Sequence, residues 1–480
     1  MGKKPEIILE RFLDQCDNIY ILEKINIYRW FIIREIYNLF ENQVGRDKKL
    51  LVNFYKNFLN IFNIIYSFFR RLLFFILDNA FYIYLKHQRD INNHDKIGIL
   101  IPSGGSYHLS FLKDLFSSKK YDLVYIAGGI NDRFWFFKND NFYIRNLKFT
   151  KSSVHKNEIS EIKKIIDIIL PDENLFLKHK LFKIFLSYLN KPILASNYFK
   201  NMISKHKIKL ILLWNDVLPL EKNIVLLSKK LGIPTVVFQH GIFYNNKDGF
   251  LPITADFFVS WGDLFTKLLI SEGADSKKIK TMGNPKFDYL LGYIGKQANT
   301  LNTSNENKIR ILYLPQPFEK YSKDGSAFKN QILVYLLKII QRNPNYELVI
   351  KTHPGEKFFA YKRYKKIKNI KIFSKYSNLY DLIYNSDIVI GVSSTALLEA
   401  YILGKPTISI EINSKFLDFP FSTFGITYPC YNLEKLEDCI KYVLRNGNHA
   451  KNERLLKELI TVDGHSKERI IEFLGRLILS

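Results

Sequence analysis

Residues 387–410 read Asp387-Ile-Val-Ile-Gly391-Val-Ser393-Ser394-Thr395-Ala-Leu-Leu-Glu399-Ala400-Tyr-Ile-Leu-Gly404-Lys405-Pro406-Thr407-Ile-Ser-Ile410. The short apolar run Ile388–Ile390 predicts a buried strand. A hydroxyl-rich turn and a helix-length stretch follow, and Gly404-Lys405-Pro406 turns the chain into a second strand, Thr407–Ile410. Strand, helix and strand in that order specify a parallel sheet covered by helices. Ser393 or Ser394 caps the helix. Consecutive hydroxyls beside the unsatisfied N–H groups of a helix start, here Ser393, Ser394 and Thr395, also make an anion site. Glu399, one turn further on, is placed to accept hydrogen bonds from ribose hydroxyls.

The same alternation extends outward from this stretch. Strands are expected at Ile97–Ile101, Leu123–Ile126, Leu210–Leu213, Thr235–Phe238, Phe257–Ser260, Ile309–Leu314 and Leu348–Lys351. Residues 291–308 are polar and rich in Asn, Thr and Ser, which marks a boundary. The expected class is α/β. Residues 93–295 and 306–480 form two Rossmann-like domains, the last helix free to cross back. Residues 1–92 form an N-terminal helical segment. Paired domains of this kind face a cleft at the carboxyl ends of their strands, where ligands sit.

Composition narrows the classes. The 480 residues carry a formal charge of +25, with 39 Phe and 29 Tyr, so the chain is too aromatic to be disordered. Cys16, Cys430 and Cys439 make neither a disulfide framework nor a zinc spacing, as expected of a reducing compartment. The start is basic, but Glu6, Glu10 and Arg11 interrupt any apolar run, so no secretory signal is expected. Within residues 1–92, a helix is expected over residues 18–45. A second over 53–78 carries one narrow polar stripe, with Arg70 and Arg71 at its end. Two readings of it stay open: a helix buried against the protein, or one lying on anionic lipid. The basic run Lys362-Arg363-Tyr364-Lys365-Lys366-Ile367-Lys368 reads as a solvated face, and no nucleic-acid module accompanies it.

Five polar constellations carry the chemistry. Lys351-Thr-His353-Pro354-Gly355-Glu356 follows a buried strand, so His353 stands at a strand's carboxyl end. Pro354 extends the backbone there, and Gly355 allows close approach to a ligand. The Ser393–Glu399 turn is the second. Phe238-Gln239-His240-Gly241, Gly283-Asn284-Pro285 and Trp214-Asn215-Asp216 are the others. Each also fits ordinary turn and capping chemistry. His240, with a reference pKa of about 6.5, suits a general base, and Asp216 is the alternate.

The ordered set Gln239-His240-Gly241, Ala255-Asp256, Trp261-Gly262, Gly283-Asn284-Pro285, His353-Pro354, Ser393-Ser394 and Glu399 resembles GT-B glycosyltransferases of bacterial surface-polysaccharide synthesis. It is similar in particular to sialyl- and polysialyltransferases, capsule Kdo transferases and CDP-glycerol glycerophosphotransferases. UDP-GlcNAc 2-epimerases share the fold and a similar Gly-Asn-Pro turn, but carry a Gly-Gly turn where this chain has Ser393-Ser394. The resemblance spans about residues 205–412. It implies that His353, Ser393 and Ser394 hold the phosphate of a CMP-sugar, which passes to a glycan or lipid-linked acceptor. Gln239, Gly241, Asn284, Pro285, Lys351, Pro354, Gly355, Glu356, Thr395 and Glu399 are expected around it. The alternatives are a polyol-phosphate transferase, a UDP-GlcNAc 2-epimerase-like enzyme and a nucleic-acid-binding protein. No Asp-X-Asp triplet is present, so neither a metal nor a cofactor is expected. A cytoplasmic protein is expected, and the lipid-lying reading of residues 53–78 would bring it into peripheral contact with the anionic inner face of the membrane.

Overall fold

The structure, a computed structural model, describes Phe12, Cys16, Ile32, Glu35, Ile36 and residues 97–101, 121–126, 142–144, 147–150, 154–171, 175–244, 249–297, 308–320, 322, 324–353, 355–356, 358–447 and 453–479. The strands are β1 (Ile97–Ile101), β2 (Tyr121–Ile126), β3 (Phe142–Ile144), β4 (Phe149–Thr150), β5 (Ile193–Leu194), β6 (Ile208–Leu213), β7 (Thr235–Phe238), β8 (Phe257–Ser260), β9 (Ile279–Thr281), β10 (Ile309–Tyr313), β11 (Tyr346–Lys351), β12 (Ile370–Phe373), β13 (Ile388–Gly391), β14 (Thr407–Ile410) and β15 (Tyr428–Cys430). The helices are α1 (Lys156–Ile169), α2 (Leu175–Leu189), α3 (Ser196–Lys205), α4 (Pro219–Lys229), α5 (Asp263–Ser271), α6 (Pro285–Gln297), α7 (Gly325–Arg342), α8 (Leu379–Tyr384), α9 (Thr395–Ile402), α10 (Leu436–Asn446), α11 (Glu453–Leu459) and α12 (Ser466–Leu479).

One seven-stranded sheet has the order β3-β2-β1-β6-β7-β8-β9, and one six-stranded sheet the order β12-β11-β10-β13-β14-β15. Each starts in the middle, winds to one edge and then winds to the other, the doubly wound order of Rossmann folds. The pairs β1–β2, β1–β6, β6–β7, β10–β11, β10–β13 and β13–β14 are parallel. The expected α/β class with two Rossmann-like sheets is what the chain adopts.

The chain divides into two compact units, residues 1–237 with 252–256, and residues 238–251 with 257–480. In the first, Ile162, Ile165, Ile166 and Ile169 line one face of α1 at helical spacing. They form a core with Phe12, Ile32, Ile36 and Phe185, and the Phe12 and Phe185 rings stack at 4.1 Å. Phe12, Cys16, Ile32 and Ile36 thus pack inside while Glu35 is exposed, and the stripe-bearing segment 53–78 lies outside the described residues. Two carboxylates hold residues 252–256 to this unit. Asp216 Oδ2 accepts the N–H groups of Thr254 (2.5 Å) and Ala255 (2.8 Å). Asp256 Oδ2 accepts Thr235 N–H at 2.9 Å and the Thr235 hydroxyl at 2.7 Å.

The second unit is built on the six-stranded sheet, with Ile311, Leu348, Ile350, Ile388, Ile390 and Ile408 fully buried beneath Ile332 and Leu336 of α7. Residues 257–295 cluster with it, although β8 and β9 are strands of the seven-stranded sheet and the polar stretch 291–308 suggests a later boundary to a reader of sequence. The reason is a return of the chain. Thr461 N–H donates to Trp261 O at 2.7 Å, and Ser466 N–H to Asp288 Oδ2 at 2.8 Å. Arg469 donates to Met282 O at 3.1 and 3.0 Å while pairing with Asp463 at 2.6 Å. The guanidinium holds the Asp463 carboxyl down at about 2. Among the described residues no helix is long and apolar enough to cross a membrane.

Gly283 makes this return close. Its φ is +83°, and a Cβ there would lie 2.3 Å from Ser466 Oγ and 2.7 Å from Thr461 O. Gly283→Ala is therefore expected to cost about 1–2 kcal/mol from the left-handed backbone alone, with the displacement of Ser466 on top. Urea unfolding measures this, and an unchanged midpoint would remove the requirement for glycine.

Candidate functional site

In the six-stranded sheet β10 and β13 are neighbours although two strands separate them in sequence. Winding direction reverses there, and the carboxyl ends of the two strands open to a ligand. The loops leaving them are cross-linked by one side chain. Gln316 donates from Nε2 to Ser393 O at 2.8 Å and accepts Ser393 N–H on Oε1 at 3.0 Å. Ser393 Oγ accepts the N–H groups of Asp418 (3.1 Å) and Phe419 (3.0 Å) from the β14–β15 connection. Ser394 is the N-cap of α9, its Oγ accepting Ala396 N–H at 3.3 Å. The two serine oxygens thus shape the turn as acceptors, and each hydroxyl keeps its O–H to donate; with the amide N–H groups of Ser394 and Thr395 at the start of α9, these are the donors the turn presents to an anion.

Glu399 lies one turn below, only 2% exposed. Its Oε1 accepts from Lys286 Nζ at 2.6 Å, and its Oε2 is buried with no hydrogen-bond partner among the described residues. A buried polar group left unpaired is costly, so this oxygen is suited to accept a hydrogen bond from a ligand. Lys286 is placed by the turn before it. Asn284 Oδ1 accepts Lys286 N–H at 3.0 Å, and Pro285 takes the first position of α6, where a missing N–H costs nothing. Lys351, 8% exposed at the end of β11, faces Glu399 too. Burial pushes its ammonium down, and the Glu399 carboxylate opposes that. The Tyr380 hydroxyl is pushed up, by burial first and by Glu399 second.

The loop after β11 is rigid at its base. Glu356 Oε1 accepts from Lys329 Nζ and Tyr361 OH, both at 2.8 Å, and Oε2 accepts His353 N–H at 3.1 Å. His353 Nδ1 accepts Gly355 N–H at 2.9 Å. A neutral ring in that arrangement carries its proton on Nε2, which makes His353 a donor of the kind a phosphate accepts. Pro354 lies outside the described residues.

Gln239 is 2% exposed and staples its loop, donating to Gly241 O at 2.8 Å and accepting Trp261 N–H at 2.8 Å. His240 is exposed, with its ring stacked on Phe250 at 4.6 Å. A run of rings then leads from Phe250 through Phe243 and Phe265 to Phe419, the residue that donates to Ser393. The second unit therefore contains the Gln239–Gly241 loop, Asn284 and Pro285, His353, Gly355 and Glu356, Ser393 to Thr395, and Glu399. Asp216 belongs to the first unit, where burial pushes its carboxyl up against the opposing Ala255 and Lys222. Its loop-holding bonds assign it structural work, not the exchange of protons with a substrate.

Sequence reading missed two residues, Gln316 and Lys286. Gln316 directly follows a buried strand between two prolines, Leu314-Pro315-Gln316-Pro317, and strand-end polar residues of that kind point to a site. Lys286 is one residue beyond the Asn-Pro turn, and only folding brings it to Glu399.

Residues 255–475 match the family model described as UDP-N-acetylglucosamine 2-epimerase. No curated protein matches the chain. Solved structures do. UDP-GlcNAc 2-epimerase from Methanocaldococcus jannaschii, in complex with UDP-GlcNAc and UDP, is similar over 79% of this chain and 99% of its own, with TM-score 0.53 and 18% identity. The enzyme from Neisseria meningitidis bound to UDP-GlcNAc is similar over 79% of this chain and 100% of its own, with TM-score 0.52 and 14% identity. Staphylococcus aureus MnaA with UDP is similar over 80% and 98%, with TM-score 0.51 and 16% identity. The fold is GT-B-like, as expected, and the match is to an enzyme family.

The expected reaction is corrected. A CMP-sugar glycosyltransferase was inferred from the His-Pro and Ser-Ser motifs, and the match over residues 255–475 is to a UDP-sugar epimerase family instead. The structure explains why those motifs mislead. Their serine oxygens build a loop junction, and the donors they present at strand and helix ends suit any nucleotide phosphate. Neither motif reads the base or the reaction.

Proposed function

We propose that the protein binds a UDP-linked N-acetylhexosamine in its second unit and inverts the sugar at C2. The observation that carries this reading is the family match over residues 255–475, which spans a site with a buried, unpartnered carboxylate oxygen on Glu399. That oxygen suits a ribose hydroxyl. The amide N–H groups at the start of α9 and the Nε2–H of His353 suit the diphosphate. Fixed donors of this kind stabilise charge that builds as the diphosphate leaves.

Inversion at a carbon with no neighbouring carbonyl needs two bonds to break together. The C2–H pair becomes the C1–C2 double bond, its proton passes to a base, and the C1–O pair departs with the diphosphate. Return of proton and diphosphate, with the proton on the opposite face of C2, completes an isomerisation that consumes nothing else. We assign the proton transfer to His240, held by its stack on Phe250.

Incubation with UDP-GlcNAc in deuterated water tests this by proton NMR. The expected result is the appearance of UDP-ManNAc with deuterium at C2 in both epimers, without any acceptor. A thermal-shift series of CMP, CDP, UDP and GDP should show a selective rise with UDP. Unchanged UDP-GlcNAc together with selective stabilisation by CMP would overturn the reading.

A further inference from the structure

Among the described residues Lys286 supplies the side-chain hydrogen bond to Glu399, and its geometry is more constrained than a surface ion pair requires. Its amide is tied by Asn284 Oδ1, Pro285 starts its helix, and its Nζ sits 2.6 Å from Oε1. The Lys286 side chain is 21% exposed and that of Glu399 3%, so the cation reaches in from the rim while the carboxylate stays inside. A carboxylate has two oxygens of equal capacity. Here one is occupied and the other is bare and buried. The groups facing this carboxylate are Lys286 from α6, Lys351 from β11 and Tyr380 from α8.

We propose that Lys286 is a positioning residue for the bound nucleotide: by occupying Oε1 of Glu399 it locks the carboxylate plane and reserves Oε2 as the acceptor for a ribose diol. This rests on the nucleotide-binding part of the function proposed above. It does not depend on which base is bound, because the diol is common to all ribonucleotides. Without Lys286 the carboxylate has both oxygens to satisfy and turns toward Lys351, so the diol loses a fixed acceptor while the phosphate donors at α9 are untouched. The role is thus specific to the ribose, where a general structural role would weaken every nucleotide alike.

The test is calorimetric titration of the wild type, Lys286→Met and Lys286→Arg with UDP, CDP, ADP and GDP, each beside its 2′,3′-dideoxy counterpart. In the wild type the ribonucleotide that binds is expected to do so about tenfold or more tightly than its dideoxy form. Lys286→Met is expected to bring that ratio close to one by weakening only the ribonucleotide. Lys286→Arg should restore most of it. Equal weakening of both forms, or a ratio that survives in Lys286→Met, overturns the inference and leaves UDP binding in place. A ratio that depends on Lys286 with CDP but no response to UDP keeps the inference and sinks the UDP reading. Absence of binding by all four ribonucleotides sinks both. Thermal unfolding of each variant separates these outcomes from misfolding: Lys286→Met, which leaves a buried carboxylate without its cation, is expected to melt below Lys286→Arg, and a cooperative melt above the titration temperature shows that its ratio is read on folded protein.

Discussion

Glu399→Gln is expected to weaken binding of the nucleotide by roughly 10- to 150-fold, the worth of about 1.5–3 kcal/mol for a hydrogen bond to a charged acceptor. The same change is expected to leave the melting temperature no lower than that of the parent. The pairing of these two results is the informative part. Glu399 is 2% exposed and satisfies one of its two oxygens. An ion kept half-paired in a buried site works against folding, and a neutral isostere removes that cost. Lys286 keeps contact with water and tolerates the loss of its partner. Stability and function should therefore part company at this one residue. Calorimetry with UDP and a thermal melt measure both, and a variant that keeps its UDP affinity would show that the bare oxygen faces no ligand.

Lys329→Met is expected to lower the stability of the second unit by about 3–5 kcal/mol, as when one partner of a buried ion pair is removed. The Lys329 side chain is 9% exposed and that of Glu356 1%, at 2.8 Å. Burial works to lower the ammonium's pKa, and the carboxylates of Glu356 and Glu319 outweigh it, so the folded value lies above the ordinary 10.5. The sign follows. The contribution is complete below the ordinary lysine value and is lost only as pH rises through the raised one, so the deficit in Lys329→Met should be constant from neutral pH to about pH 10. Urea titrations across that range measure it. A loss below 1 kcal/mol would place the pair's energy elsewhere. Because Glu356 also holds the backbone of His353, turnover should fall with stability in this variant, unlike in Glu399→Gln.

The centre of each sheet was legible in the sequence and the edges were not. Ile97–Ile101, Thr235–Phe238, Phe257–Ser260 and Thr407–Ile410 have the same bounds in sequence reading and structure. The first three are largely apolar runs, as strands packed on both faces are, and Thr407-Ile-Ser-Ile410 is bounded by its Gly404-Lys405-Pro406 turn. β3, β9, β12 and β15 lie at sheet edges and went unread. They are short or alternating, as in Ile279-Lys280-Thr281, and β15 contains Pro429, which an edge tolerates. The site was half legible for a related reason. His353 and Ser393 stand two residues after strands and Glu399 one turn into the helix that follows, so the local pattern exposes them. Lys286 and Glu399 are 113 residues apart, and Gln316 and Ser393 are 77 apart, so no local pattern announces either pair.

The return of α11 and α12 onto residues 257–297 has a consequence for the order of synthesis. Asp288 waits for Ser466, 178 residues later, and Met282 for Arg469, 187 residues later. A nascent chain that has exposed β8, β9 and α6 holds Gly283 and the Asn284–Lys286 turn with nothing against them. Contacts of such long separation form slowly. The lysine that reaches Glu399 therefore acquires its seat only after residues 453–479 have left the ribosome, and the nucleotide binding proposed above waits for them.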